Sequence, residues 1–131
     1  MTGLVPYLKF AHRAREALSS YRDVFGGELD LHTYSDFGRS DGPPDAIAHG
    51  MLHGLVSLAG ADATADEAAL HLRGISFSLL GTADPATLEG WFAELSKGGT
   101  DIDPLQGRPW GAHDGEVTDR FGVRWLIGYE E

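Results

Sequence analysis

Six histidines and no cysteine bound the chemistry open to this chain of 131 residues. Without thiols there is no disulfide, no thiolate nucleophile and no Cys-ligated zinc. His49 and His53 stand four apart, a spacing that on a helix would set two imidazoles on one face, as in zinc-binding helices. Gly50 and Gly54 oppose a helix here by roughly 1 kcal/mol each. On a strand, residues four apart lie roughly 13 Å from each other, whereas zinc needs its nitrogens at roughly 2.1 Å. The pair therefore reads as two polar residues on one face, lining a pocket or its rim, with Met51 between them as an adaptable apolar surface. His113 beside Asp114 could form a proton-transfer pair, but neighbours on a strand point to opposite faces. His12, His32 and His71 fall in predicted loops, a helix entry or strand ends, where a solvated imidazole is expected. Ser and His occur in no nucleophile–base arrangement, and no Gly-rich phosphate fingerprint is present.

The charge balance narrows the partners. Twenty acidic residues face ten basic ones, a formal net charge of −10, and the basic residues are scattered along the chain. A nucleic-acid backbone would be repelled, while a cationic small molecule would be drawn in. No apolar stretch approaches the roughly 20 residues that span a bilayer, and the opening MTGLVPYLKF lacks the pattern of a secretion signal. The expected location is the cytoplasm, with neither nucleic acid nor membrane as partner.

The elements that must position these residues come in two similar sets. Val5 to Phe10 reads as a strand, and Ala14, Ala17, Leu18, Tyr21 and Phe25 form the stripe of an amphipathic helix closed by Gly26-Gly27. Glu28 to Phe37 is a predicted strand, Gly38 to Asp45 a loop, and Ile47 to His53 with Gly54 to Ala59 a hairpin; Gly60 to Ala69, small and acidic, suits a linker. The second set opens with a strand over Gly74 to Gly81. Asp84-Pro85 then marks a helix start, with Leu88, Trp91, Phe92 and Leu95 as its stripe and Gly98-Gly99 as its stop. Strands follow around Asp101 to Leu105, Gly111 to Val117 and Val123 to Tyr129, the last two joined by a turn over Asp119 to Gly122. The two helix stripes superpose at an offset of 74 residues, the glycine stops at 72.

The opening PYLKF, the helix RAREALSSYRDVFGG, the strand holding His49, the run LSKGG, Trp110-Gly111 and DRFGVRW, in this order, resemble the PhnB-like branch of the vicinal oxygen chelate superfamily. That superfamily holds glyoxalases, ring-cleaving dioxygenases and bleomycin-resistance proteins. The resemblance implies an α+β fold of two βαβββ modules forming a curled, cup-like mixed sheet with helices on the outer face. It implies one domain over residues 1–131, with half-modules of roughly 1–62 and 70–131, commonly in a homodimer. It also implies four metal-ligand positions, which fall at or beside Pro6, Val56 to Leu58, Ile75 and Ser76, and Leu126; within one residue of each there is no His, Asp or Glu. The expectation is no metal and no other cofactor. The methyltransferase label sometimes attached to PhnB-like sequences finds no methyl-donor site in this chain.

If Leu126 replaces a ligand, strand alternation turns Arg124 and Leu126 into the cavity and Trp125 and Ile127 into the core. The expected ligand-binding residues are therefore His49, Met51, His53, Trp110, Arg124 and Leu126, with no catalytic residue assigned. Two functions stand side by side. One is a metal-free binding protein that sequesters a drug or metabolite, in the manner of the bleomycin-resistance branch. The other is a lyase, isomerase or dioxygenase of the glyoxalase type with unconventional metal ligands, His49 or His53 among them.

Overall fold

A computed structural model describes residues 3–130; Met1, Thr2 and Glu131, the ends of the expected domain, lie outside the described residues. The chain forms two compact units, one ending at Leu70 and one beginning at His71. Each is a four-stranded mixed sheet with one helix, an α+β arrangement, and neither sheet closes into a barrel.

The first unit runs β1 (Tyr7–Phe10), α1 (Ala14–Phe25), β2 (Glu28–Thr33), β3 (Ile47–His53) and β4 (Leu58–Asp62), with the sheet ordered β1-β4-β3-β2. Its β1 pairs parallel to β4 and the other neighbours are antiparallel. The predicted stripe of α1, namely Ala14, Ala17, Leu18, Tyr21 and Phe25, is the buried face. It packs on β2, β3 and β4, and Gly50 leaves the room for Leu18 that a Cβ would occupy. The helix stops at Gly26 and Gly27. Gly27 has φ of 106°, and a Cβ there would collide with the carbonyl of His53, so only glycine fits.

The second unit repeats the topology: β5 (Phe77–Leu80), α2 (Pro85–Ser96), β6 (Thr100–Gly107), β7 (Ala112–Thr118) and β8 (Arg124–Glu130), ordered β5-β8-β7-β6 with β5 parallel to β8. Asp84 caps α2 by accepting from the Thr87 backbone N–H at 2.9 Å, Pro85 takes the first helical position, and Leu88, Trp91, Phe92 and Leu95 are buried, as their spacing predicts. Hydrogen bonding from the Thr87 side chain and backbone also holds the Asp84 carboxyl below its ordinary range.

Several boundaries differ from the sequence expectation for physical reasons. The predicted strand over Glu28 to Phe37 ends at Thr33. There Thr33 and Asp36 exchange side-chain to backbone hydrogen bonds at 2.8 and 3.0 Å that fold the chain into a turn. The hairpin arm expected over Gly54 to Ala59 lies instead at Leu58–Asp62, inside the stretch read as a linker. Asp62 explains the shift. Only 7% exposed, its carboxylate accepts from the backbone N–H of Ala14 at 3.0 Å and of Ile47 at 2.9 Å, tying β4 to the start of α1 and of β3. The remaining linker residues also belong to the first unit. The N–H groups of Ala63 and Leu70 donate to the carbonyls of Phe10 and Lys9, and Glu67 pairs with Lys9 at 2.8 Å.

In the second unit the motif DRFGVRW is an organised turn. Asp119, 5% exposed, accepts from the N–H of Phe121 and Val123 at 2.8 and 3.0 Å and from the indole N–H of Trp125 at 2.8 Å. Trp125 is 1% exposed and is core, as its strand parity predicts. Because removing a buried acceptor strands each donor at a cost of roughly 1–3 kcal/mol, Asp62→Ala is expected to lower stability by about 3 kcal/mol. Urea denaturation followed by circular dichroism checks it, with Asp45→Ala, an exposed carboxylate, expected to change little.

Candidate functional site: the helix-free sheet faces and a strand-end hollow

Alternation along each strand sends one set of side chains to the helix and the other to the opposite face. On β3, Ala48, Gly50 and Leu52 are buried on the helix side, while His49 and Met51 are half-buried and His53 is exposed on the other. The register places His32 and Asp30 of β2 opposite His49 and Met51, and Ala61 and Ala59 of β4 on their other flank. Ala59 and Ala61 are nearly inaccessible although no helix covers them. They form a small-residue floor flanked in register by Tyr7 and Lys9 of β1 and by Met51 of β3.

Across that floor runs a row of four rings. Tyr7 stacks on His49 with centroids 5.6 Å apart, His49 on His32 at 6.4 Å, and His32 on Phe37 at 5.5 Å, all within 23° of parallel. The Tyr7 hydroxyl and His49 Nδ1 are hydrogen-bonded at 2.9 Å. Burial pushes the Tyr7 phenol above its ordinary value; the nearby Lys9 ammonium pulls it down by less, and Glu67 adds a small upward push. Tyr7 therefore stays protonated at neutral pH. His53 instead faces Asp30, at 3.9 Å. The sequence-predicted trio thus shares one face of one strand, while Tyr7 and His32 enter through cross-strand register and Phe37 from the turn after β2.

On the second sheet, Arg124 and Leu126 also point away from α2, as parity predicts. Arg124 is occupied. Its Nε donates to Glu116 Oε2 at 3.1 Å and its Nη1 to Thr118 Oγ1 and the Asp101 carbonyl, each at 3.0 Å. Glu116 accepts a second bond from Ser76 Oγ at 2.8 Å and is the register partner of Leu126. Sequence reasoning missed Glu116; the alternation of AHDGEVT from Ala112 to Thr118 carries the signal, since it puts Asp114, Glu116 and Thr118 on the face of Arg124.

Trp110 does not join Arg124 and Leu126. It sits in the turn between β6 and β7, 72% exposed, and lines a hollow of about 630 Å³ at the ends of β5, β7 and β8. His113 and Tyr129 line the same hollow, stacked with centroids 4.9 Å apart and 11° from parallel. His113 and Asp114 both line the hollow but have different partners, His113 stacking on Tyr129 and the Asp114 carboxylate pairing with Arg108 at 2.8 Å.

The metal positions of related folds offer no fit. Pro6 precedes β1, Val56 precedes β4, Ile75 and Ser76 precede β5, and Leu126 is a hydrocarbon within β8. The adjacent carboxylate, Glu116, is neutralised by Arg124 rather than left open for a cation. Among the described residues no three His, Asp or Glu side chains converge in a way that could hold a metal ion.

With this geometry in view, the match to a family model is decisive: residues 3–127 match the model of the Glyoxalase/Bleomycin resistance protein/Dioxygenase superfamily. The chain belongs to that superfamily. Among curated proteins, YjdN of Escherichia coli K12 is 30% identical, over 95% of this chain and 92% of its own length. Among solved structures, PA1353 from Pseudomonas aeruginosa is 34% identical with a TM-score of 0.80, covering 99% of this chain and 98% of its own. The PhnB protein from Bacillus cereus shares the fold at 19% identity, with a TM-score of 0.80 and 98% and 99% coverage. The superfamily and the PhnB-like neighbourhood agree with the resemblance drawn from PYLKF, FGG, Trp110-Gly111 and DRFGVRW. Among the described residues no helix is long and apolar enough to cross a membrane.

The Tyr7 environment gives a spectroscopic expectation. In the difference between wild type and Tyr7→Phe, phenolate absorbance should titrate with a midpoint above 10.0, the ordinary tyrosine value. A midpoint at or below that value would contradict the burial and hydrogen bonding described.

Proposed function

We propose that this protein is a small-molecule binding member of its superfamily that works without the usual metal. In this reading the helix-free faces recognise an organic ligand by shape and apolar contact. His49, Met51 and His53 on the first sheet and Arg124 and Leu126 on the second are the binding residues, and the protein sequesters a drug or metabolite as a cytoplasmic homodimer. The observation that carries it is the floor of Ala59 and Ala61, 4% and 3% exposed, walled by Tyr7, His49 and Met51 on a face with no helix. Such a surface is apolar at its base and polar at its edges, the composition of a binding site rather than of a proton-transfer centre. The superfamily's drug-resistance branch supports the same reading, as does the hydrocarbon at Leu126 where a ligand donor would stand.

Native mass spectrometry of protein purified from cells without chelators tests both parts. The expected result is an adduct of organic mass, metal well below one equivalent by elemental analysis, and an adduct at least tenfold depleted in Met51→Glu and Leu126→Glu. Stoichiometric nickel, zinc, iron or manganese would instead favour the metal-dependent lyase, isomerase or dioxygenase. Sedimentation at micromolar concentration should give twice the 14.1 kDa chain mass.

A further inference from the structure

The hollow at the strand ends of the second unit is built differently from the sheet faces. Neither Arg124 nor Leu126 lines it. Its volume of about 630 Å³ falls within the range of small-molecule sites, roughly 300–1,000 Å³. Three π-systems bound it: the exposed indole of Trp110 and the stacked rings of His113 and Tyr129. Leu80, 55% exposed, adds a hydrocarbon wall.

The polar groups around these rings are mostly anionic. Asp114 and Glu130 line the hollow, and the Tyr129 hydroxyl donates to Glu89 Oε2 at 2.6 Å. Arg108 is a cation close by, and it is held by two carboxylates, Asp103 at 2.9 Å and Asp114 at 2.8 Å. An anionic ligand would meet this acidity within a chain of net charge −10. A neutral aromatic would gain nothing from the Glu130 carboxylate that lines the hollow. Indole and phenol faces beside carboxylates recognise one chemistry best, a cation too large and too weakly hydrated to be captured by water, such as a methylated ammonium.

We propose that this hollow is a binding site for an organic cation with a methylated ammonium head and a short apolar body, the head against Trp110 and Tyr129 and the body along Leu80. The site stands apart from the residues of the proposed function, so either can fail without the other. Trp110 supplies its own reporter, because Trp91 and Trp125 are 7% and 1% exposed whereas Trp110 is 72% exposed.

The test is a titration with phenyltrimethylammonium chloride, followed by tryptophan fluorescence and calorimetry, with tert-butylbenzene as the neutral isostere of the same shape. The expected result is a saturable change in the solvent-exposed emission, with at least fivefold weaker binding of the neutral compound. Calorimetric binding should disappear in Trp110→Ala, weaken about threefold in Glu130→Gln as one nearby charge is removed, and persist in Met51→Ala. Absence of saturation, equal affinity for the isostere, or unchanged binding in Trp110→Ala would each overturn the proposal. Loss of binding in Met51→Ala would do so too, by placing the cation on the first sheet's face.

Discussion

Two buried carboxylates hold the architecture in place. Asp62 and Asp119 are the buried charged side chains among the described residues, and each spends its oxygens on N–H groups at a junction, Asp62 on two backbone amides and Asp119 on two backbone amides and the Trp125 indole. A carboxylate taken out of water is tolerated only where donors replace its hydration. Asp62 therefore requires the first turn of α1, the start of β3 and the end of β4 to converge. Asp119 requires its turn to close and Trp125 to swing its indole inward. Once those junctions are set, the register of β3 and of β8 follows, and with it which residues face the helices.

That register divides each sheet into two surfaces with different chemistry. The helix side is filled by Leu, Phe, Trp and Val, and the other by rings, amides and charges around small floor residues. On the first sheet the uncovered face is aromatic and imidazole-rich, with Tyr7 and His49 linked. On the second it is an ionic mesh around Arg124 and Glu116. Partly exposed pairs of this kind contribute only about 0–1 kcal/mol each, so their value lies in fixing side-chain positions more than in stability. The duplicated topology thus carries two unlike surfaces on one scaffold.

The helices, their glycine stops and the parity of β3 and β8 were legible in the sequence because they depend on local spacing: three and four for Leu18 and Tyr21, two for Arg124 and Leu126. DRFGVRW was legible as a motif, although its meaning, an Asp119 acceptor for Trp125, needed coordinates. What stayed hidden depends on contacts between distant residues. Tyr7 meets His49 across 42 positions and Ser76 meets Glu116 across 40, and nothing in either neighbourhood announces the other. The end of β4 was misplaced for the same reason, since Asp62 reads as loop composition until its donors, 48 and 15 residues away, are seen. Trp110 stood out in the sequence as a candidate ligand wall, but the hollow it lines is made by strand ends that only the register brings together.

The strand order β1-β4-β3-β2 governs the sequence of assembly. The hairpin of β3 and β4 and the helix between β1 and β2 involve short loops, but Tyr7 cannot pair with Ala59 until the 51 residues of chain between them have been arranged. Loop closure of that length is slow relative to hairpin or helix formation. On a ribosome, β1 therefore waits unpaired until β4 has emerged, and the second unit repeats the delay between β5 and β8. In each unit the helix and the antiparallel hairpins thus have the short loops to close, and the first strand, β1 or β5, has the long one.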